Sequence, residues 1–459
     1  MRKPRFVACL FVVGALVASG CDWPQYLYGA SHTGSTPDTS ISADALATNG
    51  LAAAWKVPGA AVVGPVVAGT VFAGADTFNP SGPFLAAYDA AGTAGCTGAP
   101  KVCTRLWTAD GALATSAAVA DGLLIAPGVD GGIAAYDATG TVGCAGVPKI
   151  CAPVWAGHVG ADVGVVNLAV ANGLVYVETT TNQVPAGPGI AVFDGHGVNG
   201  CSGSPVVCEP LWTARVTVNG YGGLSVGSGV VALMASTGLY AFDAAGTTGC
   251  TGSPKVCAPL WRADIPGGPG YDLPVIANGT VLVTSAGLAD TYGFDAAGAR
   301  NCAGAPKTCT PTLRFKLAKL SPAVRGTTLY SLRGRQVAAY DASGSSHCSG
   351  RALRTCTPLW KSTVHAGQCK PPGPCDQFSS LVVANSVVYQ GYTDAGQAGG
   401  DITAYDATGT RDCAMGICQP IGRWATGGNG SRPPIVSGGS VYVGEVAIGN
   451  PALVALRVP

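Results

Sequence analysis

One pattern recurs along the chain and constrains its fold more than any other feature. An apolar run ending in Asp-x-x-Gly appears at 85–92, 133–140, 190–197, 239–246, 291–298, 337–344 and 402–409. Its aspartates are Asp89, Asp137, Asp194, Asp243, Asp295, Asp341 and Asp406, spaced by 48, 57, 49, 52, 46 and 65 residues. Before each copy lies a Gly-flanked apolar strand pair such as PVVAGTVFAG. After each comes a cysteine-bracketed insert, and then a tryptophan in every repeat except the fifth, where Leu313-Arg314-Phe315 takes that place. Four short strands per repeat of about 50 residues predict blades of an all-β propeller. The strands read as continuous apolar runs because a blade buries both faces against its neighbours.

The chain ends predict how the ring closes. PPIVSGGSVYVGEV and ALVALRVP supply three strands and no fourth, whereas LAAAWKV at 51–57 is a fourth strand with no blade of its own. Trp55 stands 52 residues before Trp107, in register with the repeat. Seven whole blades and one split blade give an eight-bladed β-propeller whose last blade is completed by the N-terminal strand, leaving no open edge to aggregate. The expected organisation is a signal peptide over 1–20, an anchor and lead-in over 21–50, and the propeller over 51–459.

Composition agrees and excludes other classes. The 68 glycines and 32 prolines punctuate the chain densely, yet 47% of residues are hydrophobic, too many for a disordered coil. The net charge is +1, and becomes −2 without Arg2, Lys3 and Arg5. No basic stripe exists to neutralise phosphates, so nucleic acid is not an expected partner.

The first segment reads as an address. Arg2, Lys3 and Arg5 precede an apolar run from Phe6 to Ala18, too short to span a bilayer comfortably. Ala18-Ser19-Gly20-Cys21 resembles the lipobox of bacterial lipoproteins, with Ala18 where that motif usually has Leu. The resemblance implies lipidation of Cys21, and hence an extracytoplasmic protein anchored to the bacterial cell membrane through its N-terminus. The alternative is an ordinary secretory signal that leaves Cys21 as a free thiol.

Sixteen further cysteines form local pairs: Cys96 with Cys103, Cys144 with Cys151, Cys201 with Cys208, Cys250 with Cys257, Cys302 with Cys309, Cys348 with Cys356, Cys369 with Cys375, and Cys413 with Cys418. Cys369 and Cys375 fall in an extra loop, and the other pairs sit between the third and fourth strands. Disulfides in an oxidising compartment are the expectation, each stiffening its own loop. Zinc sites usually have closer cysteine spacing or histidine partners, and neither occurs here.

The Ala-x-Asp-x-x-Gly pattern followed by a tryptophan, together with Asp22-Trp23-Pro24-Gln25-Tyr26 and His32-Thr33-Gly34, resembles the PQQ-like (quinoprotein alcohol dehydrogenase-like) β-propeller repeat family over roughly residues 22–459. The resemblance implies that Trp55, Trp107, Trp155, Trp212, Trp261, Trp360 and Trp424 dock neighbouring blades. It also implies PQQ and calcium as cofactors of the enzymatic branch, held by Glu, Asn and Asp, often beside a disulfide of adjacent cysteines. This chain has no adjacent cysteines, and Glu178 and Glu445 are its plausible glutamate ligands. The site cannot be matched residue by residue.

Chemistry is otherwise sparse. Seven aspartates around a ring cannot share one active site, so they are expected to form turns. Gly195–Gly200 fits a dinucleotide fingerprint but no helix follows it. Gly223-Leu224-Ser225-Val226-Gly227 fits a nucleophile elbow but opens a blade strand. No two histidines share metal-ligand spacing, and His32 is expected to be structural. With no catalytic, cofactor or metal residue assigned, the expectation is a monomeric, membrane-tethered scaffold binding a protein partner at the cell envelope. The alternatives are a PQQ-dependent oxidoreductase, or a small ligand or carbohydrate bound in the propeller funnel.

Overall fold

The computed structural model describes residues 22–60, 62–74, 85–113, 116–128, 132–159, 163–181, 189–216, 222–364, 377–393, 400–426, 432–445 and 452–459. Cys21, Cys369 and Cys375 lie outside them. Eight sheets form an eight-bladed β-propeller. In blade 1, Val62–Val67, Thr70–Gly74, Ala86–Asp89 and Trp107–Ala109 pair antiparallel from the channel outward. Blade 8 closes the ring. Its outer strand is the N-terminal Ala52–Pro58, antiparallel to the C-terminal Ala452–Arg457.

Each sheet has six strands among the described residues, not four. The cystine insert is itself a hairpin, and its second strand runs parallel to the outer strand of the preceding blade. Lys149–Cys151 of blade 2 pairs with Trp107–Ala109 of blade 1, and Lys101–Cys103 of blade 1 pairs with the outer strand of blade 8. Seven junctions are clasped in this way. The expectation that each disulfide stiffens its own loop is therefore too local. The outer strand would otherwise be an edge with unpaired N–H and C=O groups, and the hairpin covers it. Asp110 N–H donates to the Cys151 carbonyl at 3.0 Å, a bond that directly joins two blades.

Tryptophan is the second joint. The Trp55 ring lies where a Cβ on Gly92 of the next blade would go, and its Nε1–H donates to the Ala90 carbonyl at 3.3 Å. Trp107, Trp155, Trp212, Trp261 and Trp360 lie over Gly140, Gly197, Gly246, Gly298 and Gly409 in the same way, and Leu313 replaces tryptophan over Gly344. These glycines have φ of +62° to +71°, so both backbone and ring demand glycine there.

The junction from blade 7 to blade 8 differs. Its outer strand Gly422–Ala425 has no hairpin partner among the described strands. Trp424 is displaced too. It pairs with Ile402, whereas Trp360 pairs with Ala339, because Gly422-Arg423 lengthens the strand and Gly422 stands opposite Ala404. Trp424 is half-buried and packs on Gly50, the C-cap of helix Ala43–Asn49. That helix, N-capped by Ser42, sits at the unclasped junction. Arg411 pairs with Asp44 there, and Asn385 Nδ2 donates to the carbonyls of Thr39 and Ile41.

The lead-in closes one end of the channel. Innermost strands have free amides facing the axis, and one segment satisfies them in turn. Val66, Val119, Val226, Ile276, Val324 and Val383 donate to the carbonyls of Trp23, Pro24, Ala30, Ser31, Thr33 and Gly34 at 2.7–2.9 Å. In blade 3, Val170 donates instead to Gln25 Oε1 at 3.0 Å. In blade 8, Gly438 donates to Asp38 Oδ2 at 2.8 Å. Residues 22–38 thus touch every blade. They do so on the side of the 1–2 and 3–4 turns, which antiparallel strands place on one face. The 2–3 and 4–1 loops emerge on the other.

Candidate functional site: the axial funnel

The repeated aspartates are turn formers. Asp89 accepts from the amides of Ala91, Thr93 and Ala94 at 3.0, 2.8 and 2.7 Å. Burial alone would raise these carboxyls, but their hydrogen bonds outweigh it, and all seven are held below the ordinary aspartate range. Lys101, Lys149, Lys255 and Lys307 donate to the glycine carbonyls of their own turns at 2.8–3.3 Å. Arg457 stands where the eighth aspartate would be and donates to the Ala90 and Ala91 carbonyls of blade 1. The Gly195–Gly200 glycines belong to the Asp194 turn, not to a nucleotide site.

Ser225 and His32 are brought together from 193 residues apart, with Nδ1 2.7 Å from the hydroxyl. Both are fully buried. The Ser225 hydroxyl donates to the Pro274 carbonyl, so its single proton is used and His32 Nδ1–H must be the donor to it. Burial lowers the His32 pKa to about 4, and Nε2 has no partner. This is a structural bond in the channel wall rather than a nucleophile–base pair. Sequence reasoning could not see it, because neither residue's spacing points to the other.

The described disulfides join Cys96–Cys103, Cys144–Cys151, Cys201–Cys208, Cys250–Cys257, Cys302–Cys309, Cys348–Cys356 and Cys413–Cys418. Seven disulfides mark a chain that folds outside the reducing cytoplasm. Among the described residues no helix is long and apolar enough to cross a membrane.

Above the lead-in, a cavity of about 400 Å³ occupies the axis. Trp23, Tyr26 and Leu27 form its floor, Asn167, Gly222 and Leu273 line its wall, and Arg432, Pro433 and Pro434 stand near the loop face. The Trp23 indole N–H is buried with no partner. Beside the cavity, Glu178 lies at the junction of blades 3 and 4, opposite Asn167 in the ladder and against Gly222. It is fully buried, neither carboxyl oxygen has a partner, and burial pushes its pKa up to about 8. Burial also pushes Asp272 up to about 6.

Calcium takes six to eight oxygen ligands. Among the described residues no three histidines, cysteines or acids converge, and of the Asn and Asp partners only Asn167 stands opposite Glu178 in the ladder, so the full Glu, Asn and Asp set is not assembled by the described residues. The Glu445 side chain lies outside the described set.

No protein-family model and no curated protein matches the sequence. Solved structures do match in fold. A computationally designed protein, Ika8, superposes with a TM-score of 0.55 at 12% identity, over 88% of this chain and 99% of that one. BamB from Moraxella catarrhalis gives 0.50 at 14% identity, over 89% and 99%. A europium-containing methanol dehydrogenase gives 0.58 at 11% identity, over 95% and 98%. The chain is thus a β-propeller structurally similar to the PQQ-like and BamB-type propellers, a likeness that fixes architecture and not activity.

Proposed function

We propose that the protein is a membrane-tethered, extracytoplasmic scaffold that uses the funnel on its loop face to bind a macromolecular partner. The observation that carries this reading is the course of the lead-in. It begins at Asp22, directly after the lipobox-like Cys21, and seals the turn-face end of the channel. The channel becomes a one-ended recess whose mouth faces away from the N-terminal attachment. Its lining of Tyr26, Arg432, Pro433 and Pro434 beside apolar walls has the amphipathic character of a protein-binding surface. The repeated aspartates and lysines are committed to turns, which supports a rigid frame over a catalyst.

Photoreactive residues placed at Tyr26 and at Arg432 test this in cells. The reading predicts one discrete macromolecular adduct from both positions and none from the exposed Ala305 on a hairpin tip. Absence of any adduct, together with stoichiometric PQQ and calcium binding and dye reduction, would replace it with the oxidoreductase reading. A small ligand in the funnel is favoured by the unpartnered Trp23 N–H, which would donate to an acceptor-bearing ligand. Mass spectrometry of protein released under native conditions distinguishes that case.

A further inference from the structure

Most of the exposed large apolar side chains of the turn face belong to three consecutive inserts. On the cystine hairpins and Asp turns of blades 1–3 stand Val102, Val142, Val147, Ile150, Val198 and Val207, each between 37% and 101% exposed. Among the described residues, the corresponding inserts of blades 4–7 expose Val256, Met415 and Ile417, and those of blades 5 and 6 expose none of this kind. The repeat does not require this bias. At the hairpin tips, Val147 is fully exposed where blades 1 and 4 have Ala99 and Ser253.

The hairpins place these side chains together on the rim of one face. Lys149 aligns with Trp107, the first residue of the outer strand, so the tip at 146–148 lies at the turn-face end. Exposed Arg105 lies among the apolar residues, Lys101 and Lys149 add positive charge beside it while each holds a glycine carbonyl of its own turn, and Glu209 is the one carboxylate of these three inserts besides the turn aspartates. Apolar tips with interleaved cations suit the interface of an anionic bilayer, where apolar groups enter the acyl boundary and cations meet headgroups.

The chain's course supplies the second argument. Asp22 Oδ1 accepts from Ala68 N–H at 3.0 Å, in the 1–2 turn of blade 1. Trp23, Pro24 and Gln25 then bond blades 1, 2 and 3. Cys21, the residue directly before Asp22 and the lipidation point of the tethered reading, therefore joins the propeller on this face, at blade 1.

We propose that the turn-face rim formed by the inserts of blades 1–3, docked on the outer strands of blades 8, 1 and 2, rests on the lipid bilayer surface, tilting the propeller so that the funnel mouth points away from the membrane. This orientation rests on the tethered reading above for its attachment point. The apolar sector itself is independent of it.

The test uses the full chain expressed with its own N-terminus. The mature protein is purified from membranes in detergent and reconstituted with vesicles of phosphatidylcholine and phosphatidylglycerol, with or without lipid carrying a nitroxide near the headgroup. Val147→Trp reports on the sector. Met415→Trp reports from an equally exposed tip on blade 7. The added emission of Val147→Trp is expected to fall about twofold with nitroxide lipid, and that of Met415→Trp to stay unchanged. Vesicle flotation and the mass of the N-terminal peptide are read alongside. Flotation with neither reporter quenched overturns the proposal while the tether stands, and assigns the apolar sector to a protein partner. Equal quenching of both overturns the sector in favour of the whole face. Quenching of Val147→Trp in a chain whose mass shows no lipid supports the proposal and removes the tether. Neither flotation nor quenching overturns both.

Discussion

Seven junctions of the ring carry a cystine clasp, and the junction from blade 7 to blade 8 does not. At a clasped junction three devices coincide. The preceding outer strand gains a parallel strand, a buried tryptophan or Leu313 covers the next blade's turn glycine, and the turn aspartate gathers its own backbone amides. At the unclasped junction no hairpin pairs with the outer strand among the described strands. The helix Ala43–Asn49 stands in for the hairpin, Gly50 for the turn glycine, and a half-buried Trp424, shifted by two residues, for the docking tryptophan. This irregular seam is filled by the segment that leads into the closing strand.

The largest expected difference between the two kinds of junction is at the tryptophans. Trp107→Ala empties a site 3% exposed and is expected to cost roughly 3–5 kcal/mol, against roughly 1–2 kcal/mol for the half-buried Trp424→Ala. Denaturant titration of both measures this, and equal costs would erase the distinction. Next is the clasp. The double change Cys144→Ser with Cys151→Ser opens a loop of about eight residues and is expected to lower stability by about 2.5 kcal/mol in the chain-entropy account.

A clasped junction also tolerates a buried acid. Glu178 has a folded-state pKa near 8 against an ordinary 4.5, so the folded state holds its proton across that window and the unfolded state does not. Stability from this group is therefore present below about pH 4.5 and lost as pH rises towards 8. Glu178→Gln is expected to flatten that slope and to stabilise the protein by roughly 1–3 kcal/mol at pH 8.5, read by thermal melts across pH. The smallest effect belongs to the seam. Asp44→Asn breaks an exposed ion pair with Arg411 and is expected to change stability by less than about 0.5 kcal/mol. A larger loss would mean that the helix carries the closure alone.

Most of the frame was legible in the sequence because it is written in side chains that repeat. The Asp-x-x-Gly turns, the tryptophan after every insert but the fifth, the lone strand around Trp55 and the three strands of the last repeat determine the number of blades and the closing pair. Cysteine spacing reports which loop closes on itself. It does not report where the closed hairpin lies, so the parallel docking of Lys149–Cys151 on Trp107–Ala109 was invisible. The Trp424 shift was readable in principle, since Gly422-Arg423 separates it from Ile421 where Trp360 directly follows Leu359. The lead-in's circuit was not, because it bonds mainly through backbone carbonyls, which any sequence has. The funnel was equally hidden, as Trp23, Asn167 and Arg432 meet only once that circuit is drawn.

The central claim is that each cystine hairpin holds the blade before it, not merely its own loop. Amide hydrogen exchange of the Cys144→Ser, Cys151→Ser variant tests this at one position. Asp110 lies in blade 1, and its N–H donates to the Cys151 carbonyl of blade 2. The account predicts that peptides spanning 107–110 lose protection along with 144–151. Faster exchange confined to 144–151, with 107–110 as protected as before, would contradict it.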